Sequence, residues 1–117
     1  MSTKTIRYLL DELHTLGVVS TKRMFGGHGL FVNGLMFSIV VDDVVYLKGD
    51  EKSARIYADA GCQRFTYMRK DKPVHLNYYQ APDSSLDDSL KLHHWAAIAV
   101  ASSERENVTK MAKKPKK

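Results

Sequence analysis

The segment Gly26-Gly27-His28-Gly29 is where this chain comes nearest to a phosphate cradle, because successive small residues let backbone N–H groups approach an anion. The spacing does not fit one. A dinucleotide fingerprint needs a further glycine at position 32, which is Val32, and a P-loop needs Gly-Lys-Ser/Thr, which the chain lacks. A structural bend or bulge is the better reading, since glycines between strands allow close backbone approach. Five histidines invite metal or acid-base chemistry, yet none has a partner at ligand spacing. His93 and His94 are adjacent and diverge by about 100° on a helix, whereas ligands sharing a metal sit three or four apart. Cys62 would need a base and an orienting group to act as a nucleophile; beside Gly61 it reads as half-buried filler. The acidic sets Asp42-Asp43 and Asp83, Asp87, Asp88 lack the alternation of a calcium loop and read as turns and helix caps. Tyr67, Tyr78 and Tyr79 lie near Arg64, Arg69, Lys70 and Lys72, an interleaving that suits stacking on single-stranded nucleic acid if the rings are exposed. Strand packing is the simpler role for them. No catalytic, cofactor or metal site is assigned, and the chain is expected to be a binding protein rather than an enzyme.

The elements that hold these residues follow from periodicity. Ile6, Leu9, Leu10, Leu13 and Leu16 have helical spacing, and Gly17 is placed to end the helix in a left-handed conformation, predicting a helix over 3–16. A strand over 21–25 comes next. Asn33-Gly34 is a two-residue hairpin signal joining two strands, with Leu30, Val32, Leu35, Phe37, Ile39 and Val41 on the core face and Phe31, Met36, Ser38 and Val40 on the other. That second face is more apolar than solvent requires, so something should cover part of it. Asp42-Asp43 leads into a strand over 44–48. Asp50 can cap a short helix that reaches Ala60 and stops at Gly61, and strands over 65–69 and 74–79 follow, joined around Asp71. After Pro82 and Asp83, Asp87 or Asp88 caps a last helix carrying Leu92, Trp95, Ala96 and Ala99 on one face. Fraying is expected beyond Glu104. The order α-β4-α-β2-α, with hairpin-linked strands, predicts an α+β fold of two layers around a largely antiparallel sheet. One domain over 1–104 and a flexible basic tail over 105–117 are expected.

Composition agrees with one globular domain: the 117 residues are 44% hydrophobic and 26% charged, with only three prolines. A single cysteine allows no internal disulfide, and the amphipathic N-terminus does not read as a signal peptide, so a cytoplasmic location and no membrane partner are expected. The net charge of +5 is concentrated in Lys110, Lys113, Lys114, Lys116 and Lys117. Without them thirteen basic residues balance thirteen acidic ones, so weak, sequence-indifferent nucleic-acid binding by this tail is the most that is expected. A homodimer is expected from an open sheet with apolar residues on its second face and no evident edge protection.

Taken together, Arg23-Met24-Phe25-Gly26-Gly27-His28-Gly29-Leu30-Phe31, Gly34-Leu35-Met36-Phe37, Tyr46-Leu47-Lys48, Phe65-Thr66-Tyr67, Lys72-Pro73-Val74, Asn77-Tyr78-Tyr79, Pro82 and Trp95 resemble the N-terminal domain of the TfoX/Sxy regulators. The resemblance implies a secretion-chaperone-like two-layer fold and a role in regulating natural competence, where full-length members act as co-activators with the cyclic-AMP receptor protein. It brings no catalytic set, so Arg23, Met24, Phe25, Gly26, Gly27, Gly29, Gly34, Met36, Phe37, Tyr46, Lys48, Tyr67, Tyr78, Tyr79, Pro82 and Trp95 are expected to be structural. The second domain of those regulators is not expected after Glu104. The function expected is a non-enzymatic module that contacts a protein partner, a transcription regulator, through the second sheet face or a strand edge. The alternative is a small-ligand or enzymatic domain at the bend over 26–29, which a polar pocket beside those glycines would favour.

Overall fold

Ile6, Leu9 and Leu13 fall on one side of a helix, and α1 (Thr3–Leu13) buries all three against a sheet. The computed structural model describes residues 3–24 and 26–113; residues 1–2, Phe25, the last four residues and the side chains of Thr3, Tyr67 and residues 110–113 lie outside the description. The helix ends earlier than expected, passing into a 3-10 turn at His14–Leu16. Gly17, at φ +134° and ψ −163°, occupies a glycine region other than the left-handed helical one that was expected.

Six strands follow: β1 (Val19–Met24), β2 (Gly27–Val32), β3 (Leu35–Val41), β4 (Val44–Lys48), β5 (Arg64–Arg69) and β6 (Lys72–Gln80). All neighbours are antiparallel, in the order β1-β2-β3-β4-β6-β5. The hairpins at Asn33-Gly34, Asp42-Asp43 and Lys70-Asp71 each put both central residues at positive φ, matching the twist of the flanking strands. Two aspartates therefore serve at 42–43 as Asn-Gly does at 33–34. Between strands lies α2 (Glu51–Asp59), capped by Asp50, and after them come a short α3 (Asp83–Leu86), which the sequence reading did not contain, and α4 (Ser89–Lys113). The fold is α+β, with the helices packed on one face of an antiparallel sheet.

The face assignment of β3 needs correction. Phe31 pairs with Met36 but Leu30 pairs with Ser38, so Phe37 is an extra residue, a bulge that inverts the alternation. Phe37 and Val40 enter the main core, while Ile39 and Val41, expected beside Phe37, turn to the opposite face. There Ile39, Phe65 and Tyr78 are buried with Met36, Val41, Tyr46 and Leu76 around them, all from strands. The cover expected for the second face is thus the sheet itself, curled so that β5 and β6 close over β3.

The main core joins Ile6, Leu9 and Leu13 to Leu30, Val32, Phe37, Val45 and Leu47, with Tyr57, Leu92, Ala96 and Ala99 from the other helices. Asp88 caps α4, accepting from the Leu90 and Lys91 N–H groups at 2.9 and 3.2 Å. Beyond Glu104, where fraying was expected, α4 continues to Lys113 because Arg105 and Glu106 are ion-paired to the strand-helix corner at residues 48–50. Among the described residues, no helix is long and apolar enough to cross a membrane.

Candidate functional site

The glycine bend is tightly packed at two of its positions. Gly26 sits at φ +73°, a left-handed conformation that costs an L side chain about 1–2 kcal/mol. At Gly27 a Cβ would lie 2.0 Å from the Val40 carbonyl oxygen, so β2 can cross the end of β3 only without a side chain there. Over Gly29 lie the sulfurs of Met36 and Met24, 2.7 and 3.1 Å from where a Cβ would be. Arg23 is exposed on β1 opposite His28. Gly27, His28 and Gly29 are paired with β1 and β3, and among the described residues no group of metal-ligating side chains gathers at the bend.

Other motif residues gather around the end of β4. Tyr79 stacks on Tyr57 at 4.7 Å with the rings 7° from parallel, and Trp95 lies against the same tyrosine at 5.7 Å. Gly49 makes room for this column, since a Cβ there would meet the Tyr79 ring at 2.5 Å. The Tyr57 hydroxyl donates to the Lys48 carbonyl at 2.8 Å. Burial pushes the Tyr57 and Tyr78 phenols well above their ordinary pKa, so both stay protonated donors. Tyr78, 5% exposed, reaches the Met36 carbonyl at 3.4 Å, and the same carbonyl accepts from Ser103 at 2.7 Å. Tyr46 packs edge-on against Phe65 at 4.7 Å, and Gly34, at φ +80°, closes the first hairpin. Pro82 begins α3, its carbonyl accepting from the Ser85 hydroxyl at 2.6 Å. With Tyr78 and Tyr79 turned inward, they offer no platform for stacking bases.

Two ion pairs pin α4 to this corner. Lys48, 8% exposed, reaches Glu106 at 2.8 Å, with its ammonium 5.0 Å from the centre of the Tyr78 ring. Asp50 receives Arg105 at both oxygens, at 2.6 and 2.9 Å, while also capping α2 through the Ser53 N–H at 3.0 Å. Ser53 returns the bond, its hydroxyl accepting from the Asp50 N–H and meeting Ser102 at 2.8 Å. The Arg105 guanidinium, with help from Ser53 and against the effect of burial, holds the Asp50 carboxyl well below the usual carboxylate range. The sequence reading found Asp50 as a cap but missed Tyr57, Arg105 and Glu106. Lys-Gly-Asp after a strand was the local signal; Arg105 and Glu106 lie more than fifty positions away, while Tyr57 lies only nine residues from the Lys48 carbonyl it bonds.

Burial raises the Cys62 thiol pKa, which works against a nucleophilic thiolate. Cys62 lines an open concavity of about 490 Å³ between residues 60–63 and 80–83. A second hollow lies along residues 50–52 and 101–109, and a third beside Gly34, Met36 and Asn107; none of the three is lined by the glycine bend. Among the described residues no group of three or more His, Cys, Asp or Glu side chains is placed to hold a metal.

Residues 11–103 match the model of the TfoX N-terminal domain. Protein Sxy of Escherichia coli (strain K12) is 29% identical over 110 residues, covering 94% of this chain and 53% of its own length. The DNA transformation protein TfoX1 of Aliivibrio fischeri (strain ATCC 700601 / ES114) is 34% identical over 68 residues, covering 58% of this chain and 32% of its own length. The chain thus spans about half, or less, of the relatives it matches. Every motif residue described above lies inside the matched span, whereas Arg105 and Glu106 lie just beyond it.

Proposed function

The chain belongs to the TfoX N-terminal-domain family, and on that premise we propose that it is a non-enzymatic module of competence regulation that works by binding a transcription regulator. The observation that carries this reading is where the motif residues go. Most of the described ones fill a bend, an aromatic column and a curled sheet instead of converging on a polar pocket, which leaves the surface for partners. The curl closes the second sheet face, so the contact falls to a strand edge. On β1, which among the described residues pairs with β2 alone, Ser20, Thr21, Lys22 and Arg23 are exposed. An extended segment of a partner can add to such an edge, with main-chain hydrogen bonds supplying affinity. The same edge offers a second copy of the chain a place to pair, so a homodimer belongs to the proposal. The role is a cytoplasmic one.

The resemblance to co-activators makes the host's cyclic-AMP receptor protein the partner to test. Titration calorimetry with the purified chain should give a saturable complex that Lys22→Glu weakens, and deleting the gene should alter transformation frequency. No complex together with unchanged transformation would overturn the reading. Sedimentation should show a dimer at high micromolar concentration; monomer alone would remove that part.

A further inference from the structure

The β5–β6 hairpin runs past the rest of the sheet. β6 pairs with β4 only from Tyr78 to Gln80, with one more bond from the Gly49 N–H to the Asn77 carbonyl at 2.7 Å. From Lys72 to Leu76 its strand neighbour among the described residues is β5 alone. The pairs Thr66 with His75, Tyr67 with Val74, Met68 with Pro73 and Arg69 with Lys72 therefore form a two-stranded arm closed by Lys70 and Asp71. Four pairs at the strand rise carry it roughly 13 Å outward. Thr66 and His75 are bonded across it at 2.8 Å, and Arg64 braces its base by donating to the Leu76 carbonyl and to Asn77 at 2.9 and 2.6 Å.

The tip is cationic. Arg69, Lys70 and Lys72 are exposed, and no ion pair among the described residues engages any of them. Asp71 is the only acid between positions 60 and 82. The body's formal neutrality therefore hides an imbalance: the cations of this stretch are offset by acids elsewhere, such as Asp42, Asp43, Asp83, Asp87 and Asp88. On the face away from Arg69 and Lys72, Met68 is 65% exposed opposite an exposed Pro73.

We infer that this arm contacts the phosphate backbone of duplex DNA without sequence preference. A free two-stranded ribbon is of the size the major groove admits, about 12 Å across. Set tip first against the groove, it brings Arg69, Lys70 and Lys72 to the phosphates that line it. An acidic protein segment would also satisfy three cations. Such a segment docks along a strand edge, however, and here the charges cluster at the tip where the edge ends. The inference goes beyond the protein-binding role and does not depend on it; it moves the expected nucleic-acid contact from the lysine tail to the folded body.

The test is fluorescence anisotropy of the full chain with a labelled 24-base-pair duplex, from 50 to 200 mM salt. Three phosphates at about 0.9 log units each imply that the arm's share of the affinity falls roughly 40-fold over that range. R69Q/K70Q/K72Q should lose that share of the salt slope while melting like wild type. K110Q/K113Q/K114Q/K116Q/K117Q should keep it, and duplexes of different sequence should bind within about twofold of one another. K52Q/R55Q, which removes exposed cations from α2, should bind within about twofold of wild type. The inference falls if the tail variant alone abolishes binding, or if K52Q/R55Q loses as much as the arm variant. It falls also if a labelled acidic peptide of equal charge binds the arm more tightly than the duplex does.

Discussion

The helix-covered core and the β5–β6 arm are both made of antiparallel hairpins with the same kind of turn, yet they serve opposite ends. In the core the inner strands are covered by side chains brought from distant parts of the chain: Phe37 shares one buried cluster with Leu92 and Ala96, and β2 passes Val40 so closely that only glycine fits. In the arm beyond Leu76 the described side chains are exposed, except the half-buried Val74. Stability and surface contact are therefore separable here. Changes in the core should unfold the protein, whereas changes at the arm tip should leave it folded and alter what it touches.

The sharpest way to break that comparison is at the glycine bend. Gly27→Ala forces backbone apart at the Val40 carbonyl and should cost about 3 kcal/mol or more, whereas Gly26→Ala, with open space around it, should cost only the strain of positive φ, about 1–2 kcal/mol. Chemical denaturation of the two variants checks the ranking, and equal losses would mean that β2 does not rest on β3 as described.

Asp50→Ala removes a helix cap and a bidentate partner of Arg105, which is partly in water, and should cost about 2 kcal/mol. The folded carboxyl titrates below its unfolded value. Its contribution is therefore complete above the unfolded pKa of about 3.9 and drains away as the pH falls from there toward the folded pKa. Unfolding free energies measured from pH 6 down to pH 2 should fall less steeply for Asp50→Asn than for wild type; parallel curves would remove the ion pair from the account.

Tyr57→Phe keeps the stack on Tyr79 and deletes only the bond to the Lys48 carbonyl, so about 1 kcal/mol should be lost with an unchanged denaturant slope. The smallest effect belongs to the arm. R69Q/K70Q/K72Q should unfold within about 0.5 kcal/mol of wild type, and a larger loss would show that the arm is part of the core's cooperative unit.

Apart from α3, the order of elements was legible because it rests on interactions within a few residues: the positive-φ turn at Asn33-Gly34, the Asp50 cap, the Gly61 stop and the helical spacing of Leu92, Ala96 and Ala99. Tertiary structure alone decided the bulge at Phe37, which redirected Ile39 and Val41, and the curl that closed the second face. It also decided the reach of α4 to Lys113, held by Lys48 with Glu106 and Asp50 with Arg105, and the overrun of β6 past β4 that frees the arm. Net charge could not reveal the cationic tip, because a sum over the chain discards position. The physical reason is common to all four: a bulge, a curl, an ion pair and an overhang are set by which distant segments pair and in what register, and no local pattern of residue types encodes that choice.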